Sequence, residues 1–309
     1  MKILLIDADS HNGFPNLALM KLSTYHKSKG DQVFLNSNCD PDIVYISCVF
    51  DWNRSQVLGI KTLYPETKVH VGGSGVSLLS QLPENVEHLK PDYSLYDYDF
   101  SVGFTSRGCI RKCPFCIVPE KEGYIRNNAL ITEFLDESHD KVVLLDNNFL
   151  ASPRWKQNLK FIIKNDLKVN FNQGLDIRLI TEENANLLSQ VRSMDFDFKD
   201  YRYYFAWDLL NYEEQFFKGL AILEKYGISQ RKIMVYVLIG FNTTEEEDIY
   251  RIEKLKQRGV LPYVMTYNNR KDQQYFTDFE RWVNRRYYKF VDWNDYDSKI
   301  RHPIQVVSY

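Results

Sequence analysis

Apolar and polar positions along the chain alternate between two rhythms. Lys2–Ile6 is a short apolar run ending in the polar Asp7–Gly13 stretch, and it predicts a buried strand. Asn16–Lys29 carries Leu17, Met20, Leu22 and Tyr25 near helical spacing and stops at Gly30, as a helix with a glycine terminator does. Gln32–Leu35 and Ile43–Cys48 read as further strands. The second of these is apolar throughout, the pattern of a parallel strand buried on both faces. Ser55–Tyr64 reads as a helix, and Lys68–Val71 as a fourth strand that breaks at Gly72-Gly73.

Residues Leu82–Tyr98 are irregular and rich in Pro, Asp and Tyr, which places a domain boundary there. Beyond it the rhythm restarts. Strands are predicted at Ser101–Phe104, Val142–Leu145, Val169–Asn172, Tyr203–Ala206, Lys232–Ile239 and Leu261–Thr266. Helices fill the gaps, at Asn128–Ser138, Pro153–Asn165, Thr181–Val191, Tyr212–Tyr226 and Thr244–Arg258. The expected fold class is therefore α/β. A Rossmann-like domain over residues 1–92 precedes a partial (β/α)6 TIM-type barrel over 93–270, and a helical extension covers 271–309. Ligand chemistry in such folds sits at the carboxyl ends of the strands.

Composition changes this picture in one respect. The 309 residues carry 21 Tyr and 19 Phe, crowded toward the last third, which reads first as a Tyr-rich core and second as an aromatic-lined cavity. A formal net charge of -2 with interspersed signs announces neither a nucleic-acid nor a membrane partner. Met1–Asp7 lacks the long apolar region of a signal peptide, and no apolar stretch is long enough to span a bilayer, so a cytoplasmic location is expected. In that compartment, three of five cysteines within eight residues argue for a metal centre over disulfides.

Those three lie in Thr105-Ser-Arg-Gly-Cys109-Ile-Arg-Lys-Cys113-Pro-Phe-Cys116, a C-x3-C-x2-C pattern directly after a predicted strand. Three thiolates on one loop can each hold one iron of a cubane, leaving the fourth iron open to a substrate. Arg107, Arg111 and Lys112 put positive charge nearby, which favours thiolates. The competing reading is zinc. Zinc sites favour four ligands in paired C-x2-C groups, and no second pair exists here; His88 and His139 are the nearest outside candidates and lack zinc-finger spacing.

The segment resembles the signature of the radical S-adenosylmethionine superfamily, including the aromatic Phe115 before the last cysteine. The resemblance implies a 4Fe-4S cluster on Cys109, Cys113 and Cys116. It also implies S-adenosylmethionine chelated at the open iron and cleaved reductively to a 5′-deoxyadenosyl radical, which abstracts hydrogen from a substrate left unidentified. Phe115 would lie near the adenine. Reducing equivalents would come from a partner such as flavodoxin or ferredoxin. Several strand ends agree with this resemblance, each with a plainer alternative. Lys232–Asp248, with Gly240 in its turn, looks like the superfamily's fifth-strand motif; a well-capped βα turn reads the same.

Asp146-Asn147-Asn148 stands where many members have Gly-Gly-Glu, and it is similar to the Asp-rich version of members with an N-terminal cobalamin-type domain. Asn172-Gln173-Gly174-Leu-Asp176-Ile-Arg178 offers Gln173, Asp176 and Arg178 for cofactor binding; a plain Asp–Arg ion pair beside a turn is the alternative. Asp208 is a further candidate for ribose contact, and Tyr267 and Arg270 are candidates for substrate contact.

The first domain looks like the cobalamin-binding fold, so cobalamin is a candidate cofactor and a cobalamin-dependent methyltransferase a candidate activity. The cobalt-ligand motif is not reproduced, however: Asp9-Ser-His11-Asn-Gly13 has the residue types with a shorter tail. Methylthiotransferases acting on tRNA share the two-domain outline, but Cys39 and Cys48 are too few for their second cluster. A non-catalytic iron–sulfur electron carrier or sensor is the rival from another class. Phe279–Trp293 mixes rings with Arg and Lys, as single-strand nucleic-acid binders do. An amphipathic helix closing the barrel mouth, with Trp282, Val283 and Phe290 inward, accounts for it better.

Overall fold

The computed structural model describes residues 1–65, 67–270 and 272–299. It is a mixed α/β protein built on parallel sheets. Two compact units divide the chain: residues 1–109 with 117–146, and residues 110–116 with 147–309. The boundary expected near residue 92 falls inside the first of them. The segment expected as a helical extension holds one α-helix, Gln274–Asn284, and two 3-10 turns among its described residues, and its residues 271 and 300–309 lie outside the described residues.

The first unit opens with β1 (Lys2–Asp7), α1 (Leu17–Lys27), β2 (Gln32–Leu35), β3 (Ile43–Ser47), α2 (Arg54–Thr62) and β4 (Lys68–Gly72). The four strands are all parallel, in the order β2-β1-β3-β4. Strand β1 alternates between two cores. Ile3 and Leu5 pack with Leu19 and Leu22 of α1, while Leu4 packs with Val44, Ile46 and Val57 of α2. That two-sided burial is why β1 and β3 read as unbroken apolar runs. Sequence order reverses between β1 and β3, the point at which open parallel sheets in general bind ligands.

The unit continues with α3 (Glu84–Glu87), β5 (Ser101–Gly103), β6 (Ser106–Arg107), α4 (Val118–Lys121), β7 (Arg126–Asn127), α5 (Ile131–Phe134) and β8 (Lys141–Leu144). Strands β5 and β8 pair in parallel, whereas β6 and β7 form a two-residue antiparallel hairpin that closes the root of the cysteine loop. Helix α5 is much shorter than the Asn128–Ser138 predicted. Leu135 is extended at φ -70, ψ 128, and the Asp136 carboxylate accepts from the Ser138 backbone N–H, a turn that competes with helix.

The second unit holds α6 (Trp155–Lys164), β9 (Lys168–Phe171), α7 (Glu182–Leu188), β10 (Arg192–Ser193), β11 (Tyr203–Ala206), α8 (Glu213–Lys225), β12 (Ile233–Ile239), α9 (Glu245–Gln257), β13 (Leu261–Thr266) and α10 (Gln274–Asn284). Strands β11, β12 and β13 form one parallel sheet, and a parallel bridge joins Leu175 to Phe205. Along β12 the buried positions Ile233, Val235, Val237 and Ile239 alternate with half-buried ones, so one face carries the core. Helix α9 starts in a capping box between Thr244 and Glu247.

The C-terminal helix buries Trp282 and Val283 as expected, but Phe290 is 48% exposed. Helix α10 ends at Asn284, and Arg286 turns left-handed at φ 64, which breaks the helical register. Tyr287 and Tyr288 are buried in place of Phe290.

Candidate functional site

The cysteine loop leaves β5 through Phe104 and Thr105. Asp146, just past β8, fixes this exit. Its carboxylate is 2% exposed and accepts from the Thr105 backbone N–H (2.9 Å), the Thr105 hydroxyl (2.6 Å) and the Ser106 hydroxyl (2.6 Å). Burial pushes its pKa up, against these hydrogen bonds. Asp146 is therefore engaged with the backbone and hydroxyls of the segment that leads to Cys109.

Gly108 then takes φ +79. A Cβ there would lie 2.4 Å from the Tyr124 carbonyl oxygen, so no other residue fits this turn. The Gly108 N–H donates to Glu122 Oε2 (2.9 Å), and the Cys109 N–H donates to the Gly123 carbonyl (3.2 Å). Glu122 also accepts from Arg107 (3.0 Å), and Arg107 pairs in addition with Glu87. Cys109 and Cys113 are half-buried and Cys116 is exposed; none is in a disulfide. Among the described residues, no three His, Cys, Asp or Glu side chains stand together in a metal-holding arrangement.

In the second unit several predicted residues do meet. Asp176 stands past the end of β9. It accepts from Arg178 Nε (2.7 Å) and Nη2 (3.1 Å), from Arg111 Nε (3.0 Å) and from Asn148 Nδ2 (3.3 Å). Burial works to raise its pKa, but the two guanidiniums prevail and hold it below the ordinary carboxylate value. The plain Asp176–Arg178 ion pair is thus present. Two cations share one anion here. Cys113 is close enough to Arg178 to add, with Asp176 and Tyr212, to the pull that keeps the guanidinium charged against burial.

Phe115 meets Phe241 edge to face at 5.5 Å between centroids, and Phe241 meets Tyr267 at 4.8 Å. These rings make a half-buried aromatic row, and its first member, Phe115, lies between Cys113 and Cys116 in the sequence. Gly240, at φ +77, places its carbonyl to accept from Arg270 (3.2 Å), and an added Cβ would press on the Phe276 ring at 3.1 Å. Arg270 is otherwise paired with Asp272. Gln173 is exposed in its turn.

Asp208 follows β11 and is half-buried. Burial pushes its pKa up to about 6, opposed by Arg251 and by the Leu238 N–H, which donates to it at 3.2 Å. Arg251 was missed in the sequence. It is fully buried and donates to the carbonyls of Trp207 (3.0 Å), Asp208 (2.8 Å) and Leu238 (2.8 Å), tying the ends of β11 and β12 together. Asp248 and Tyr275 complete this network. A polar residue on a helical pattern was the only signal, and Arg251 reads there as an ordinary surface position.

No protein-family model matches the chain, and no curated protein matches it. The site therefore stands on its own geometry. In the first unit, Asp9 at the carboxyl end of β1 is 6% exposed and accepts from the Val49 N–H and from Asn53 (2.7 Å), while His11 is exposed in a short 3-10 turn. The residues considered for cobalt ligation are thus an internal hydrogen-bond anchor and an exposed turn residue. No helix among the described residues is long and apolar enough to cross a membrane.

Proposed function

We propose that this chain is a radical S-adenosylmethionine enzyme. It would hold a 4Fe-4S cluster on Cys109, Cys113 and Cys116 and cleave S-adenosylmethionine reductively to start hydrogen abstraction from a substrate. The finer fold reading belongs to the same proposal: a Rossmann-like first domain and a partial (β/α)6 barrel whose strand ends carry the site. Donor type and number support the group, since three thiols on one loop match a cubane with one open iron better than a closed four-ligand zinc site. Their present arrangement is not a metal-holding one among the described residues, so the loop would close around the cluster. When bound, such a cluster supplies the electron that breaks the sulfonium bond.

The observation that carries the reading is the environment of that loop. Its Arg111 is locked to the carboxylate past β9, and its Phe115 ring extends an aromatic row from the ends of β12 and β13. These groups have separate tasks. The guanidiniums of Arg111 and Arg178, both held on Asp176, present N–H donors suited to an anionic carboxylate. The Phe115–Phe241–Tyr267 row offers a flat apolar surface to a purine and excludes water from it. Asp208, titrating near neutrality, offers a hydrogen-bond acceptor to a hydroxyl.

One observation favours a second reading, an iron–sulfur electron carrier or sensor. Asp176 and Arg178 are already bound to each other, as they would be in a protein with no cofactor to grip. The test separates the two. Anaerobically reconstituted protein with dithionite and S-adenosylmethionine is expected to yield 5′-deoxyadenosine, and Cys113→Ala to abolish it. An intact cluster that yields none would leave the carrier reading standing.

A further inference from the structure

The loop that carries Cys109 is tied down by a chain of alternating charges inside the first unit. Lys21, 7% exposed on α1, donates to the Glu87 main-chain oxygen and to its Oε1 (3.1 Å). Arg107 Nη2 donates to the same Oε1 (3.2 Å), and Arg107 Nη1 donates to Glu122 Oε1 (3.0 Å). The far oxygen of Glu122 accepts from the Gly108 N–H (2.9 Å). The guanidinium is pinned from a further side by the Phe104 ring, 3.5 Å away. An anion so near a thiolate is unfavourable unless neutralised, and Arg107 neutralises it.

We propose that Glu122 is the positioning residue of the cysteine loop. Its carboxylate locks the left-handed turn at Gly108 and so sets the direction in which Cys109 offers its thiolate. An ordinary ion pair would end at Arg107; this one continues to the backbone N–H of Gly108, where a Cβ cannot fit. The neighbouring Cys109 N–H is held by Gly123, the residue after Glu122, so both strands of the loop root are stitched by consecutive residues. The positioning acts on the loop itself. Its consequence for a cluster rests on the function proposed above.

The experiment compares wild type, Glu122→Ala and Glu122→Gln as full-length chains. In metal-free protein, amide exchange at Gly108 and Cys109 is expected to rise about tenfold in Glu122→Ala, the effect of losing one charge-assisted hydrogen bond. The Leu4 amide in β1 should be unchanged, which reports an intact fold. Glu122→Gln keeps an acceptor oxygen and should fall between. In reconstituted protein, iron loss to a chelator should be about tenfold faster in Glu122→Ala, with partial rescue by Gln. Unchanged exchange at Gly108 and Cys109 would overturn the proposal whatever the metal result. Faster exchange with unchanged iron retention and an unchanged reduced-cluster spectrum would overturn it as a device for the cluster. Wild type that takes up no iron would sink the proposed function, while the exchange readout would still decide the loop.

Discussion

In the first unit, Asp7, Asp9 and Asp146 stand at or just past strand ends and, among the described residues, accept from neutral donors: a tyrosine, hydroxyls, a side-chain amide and backbone N–H groups. In the second unit, Asp176 accepts from two guanidiniums. Neutral donors tolerate a carboxyl in either protonation state, and burial accordingly raises the pKa of both Asp7 and Asp146. Guanidiniums fix the charge, and Asp176 is held low despite its burial. The contrast separates carboxylates that hold backbone in place from one that organises a charged surface. Strand-end position alone, the signal available from sequence, does not distinguish them.

The largest effect is expected where backbone depends on a carboxylate. Asp146→Ala strands three buried donors, at roughly 1 kcal/mol or more each, so unfolding in urea should show a loss of about 3 kcal/mol. A loss below about 1 kcal/mol would mean that Asp146 does not anchor the loop exit.

Next comes Asp208. Its folded pKa, about 6, lies above the ordinary value of 3.8, so the folded state binds more protons than the unfolded one between those values. The stability this contributes is complete below pH 3.8 and is lost as pH rises through 6. Asp208→Asn removes the penalty and should raise stability at pH 7.5 by about 2 kcal/mol. It should also flatten the fall between pH 4 and 6, with Asp7 and Asp146 supplying the slope that remains. Asp176 has the opposite sign. Its contribution is present at neutral pH and disappears only as acid passes below the ordinary carboxylate range. Urea midpoints measured across this range check both signs, and an unchanged slope in Asp208→Asn would refute the assignment.

Much of the α/β rhythm was legible, because runs such as Gln32–Leu35, Tyr203–Ala206 and Leu261–Thr266 carry β-branched and aromatic residues bounded by turn formers. A cap at Thr243 or Thr244 was legible too, since both partners of a capping box lie within four residues of each other, and the structure uses Thr244 with Glu247. Devices built from distant residues were not. The β6–β7 hairpin has two residues per strand, too few to show a period. Glu122 reads as one more loop acid until the fold brings it to Gly108, and the same holds for Arg251 and the strand ends it joins. The Asp176–Arg178 pair was readable two residues apart, but Arg111, 65 residues away, was not.

The proposed function requires that the three cysteines leave one iron open to S-adenosylmethionine. Electron paramagnetic resonance of the anaerobic, dithionite-reduced protein, recorded with and without S-adenosylmethionine, tests this most directly. The account predicts a reduced-cluster signal that shifts when S-adenosylmethionine is added. A cluster signal that stays the same at saturating S-adenosylmethionine would contradict it.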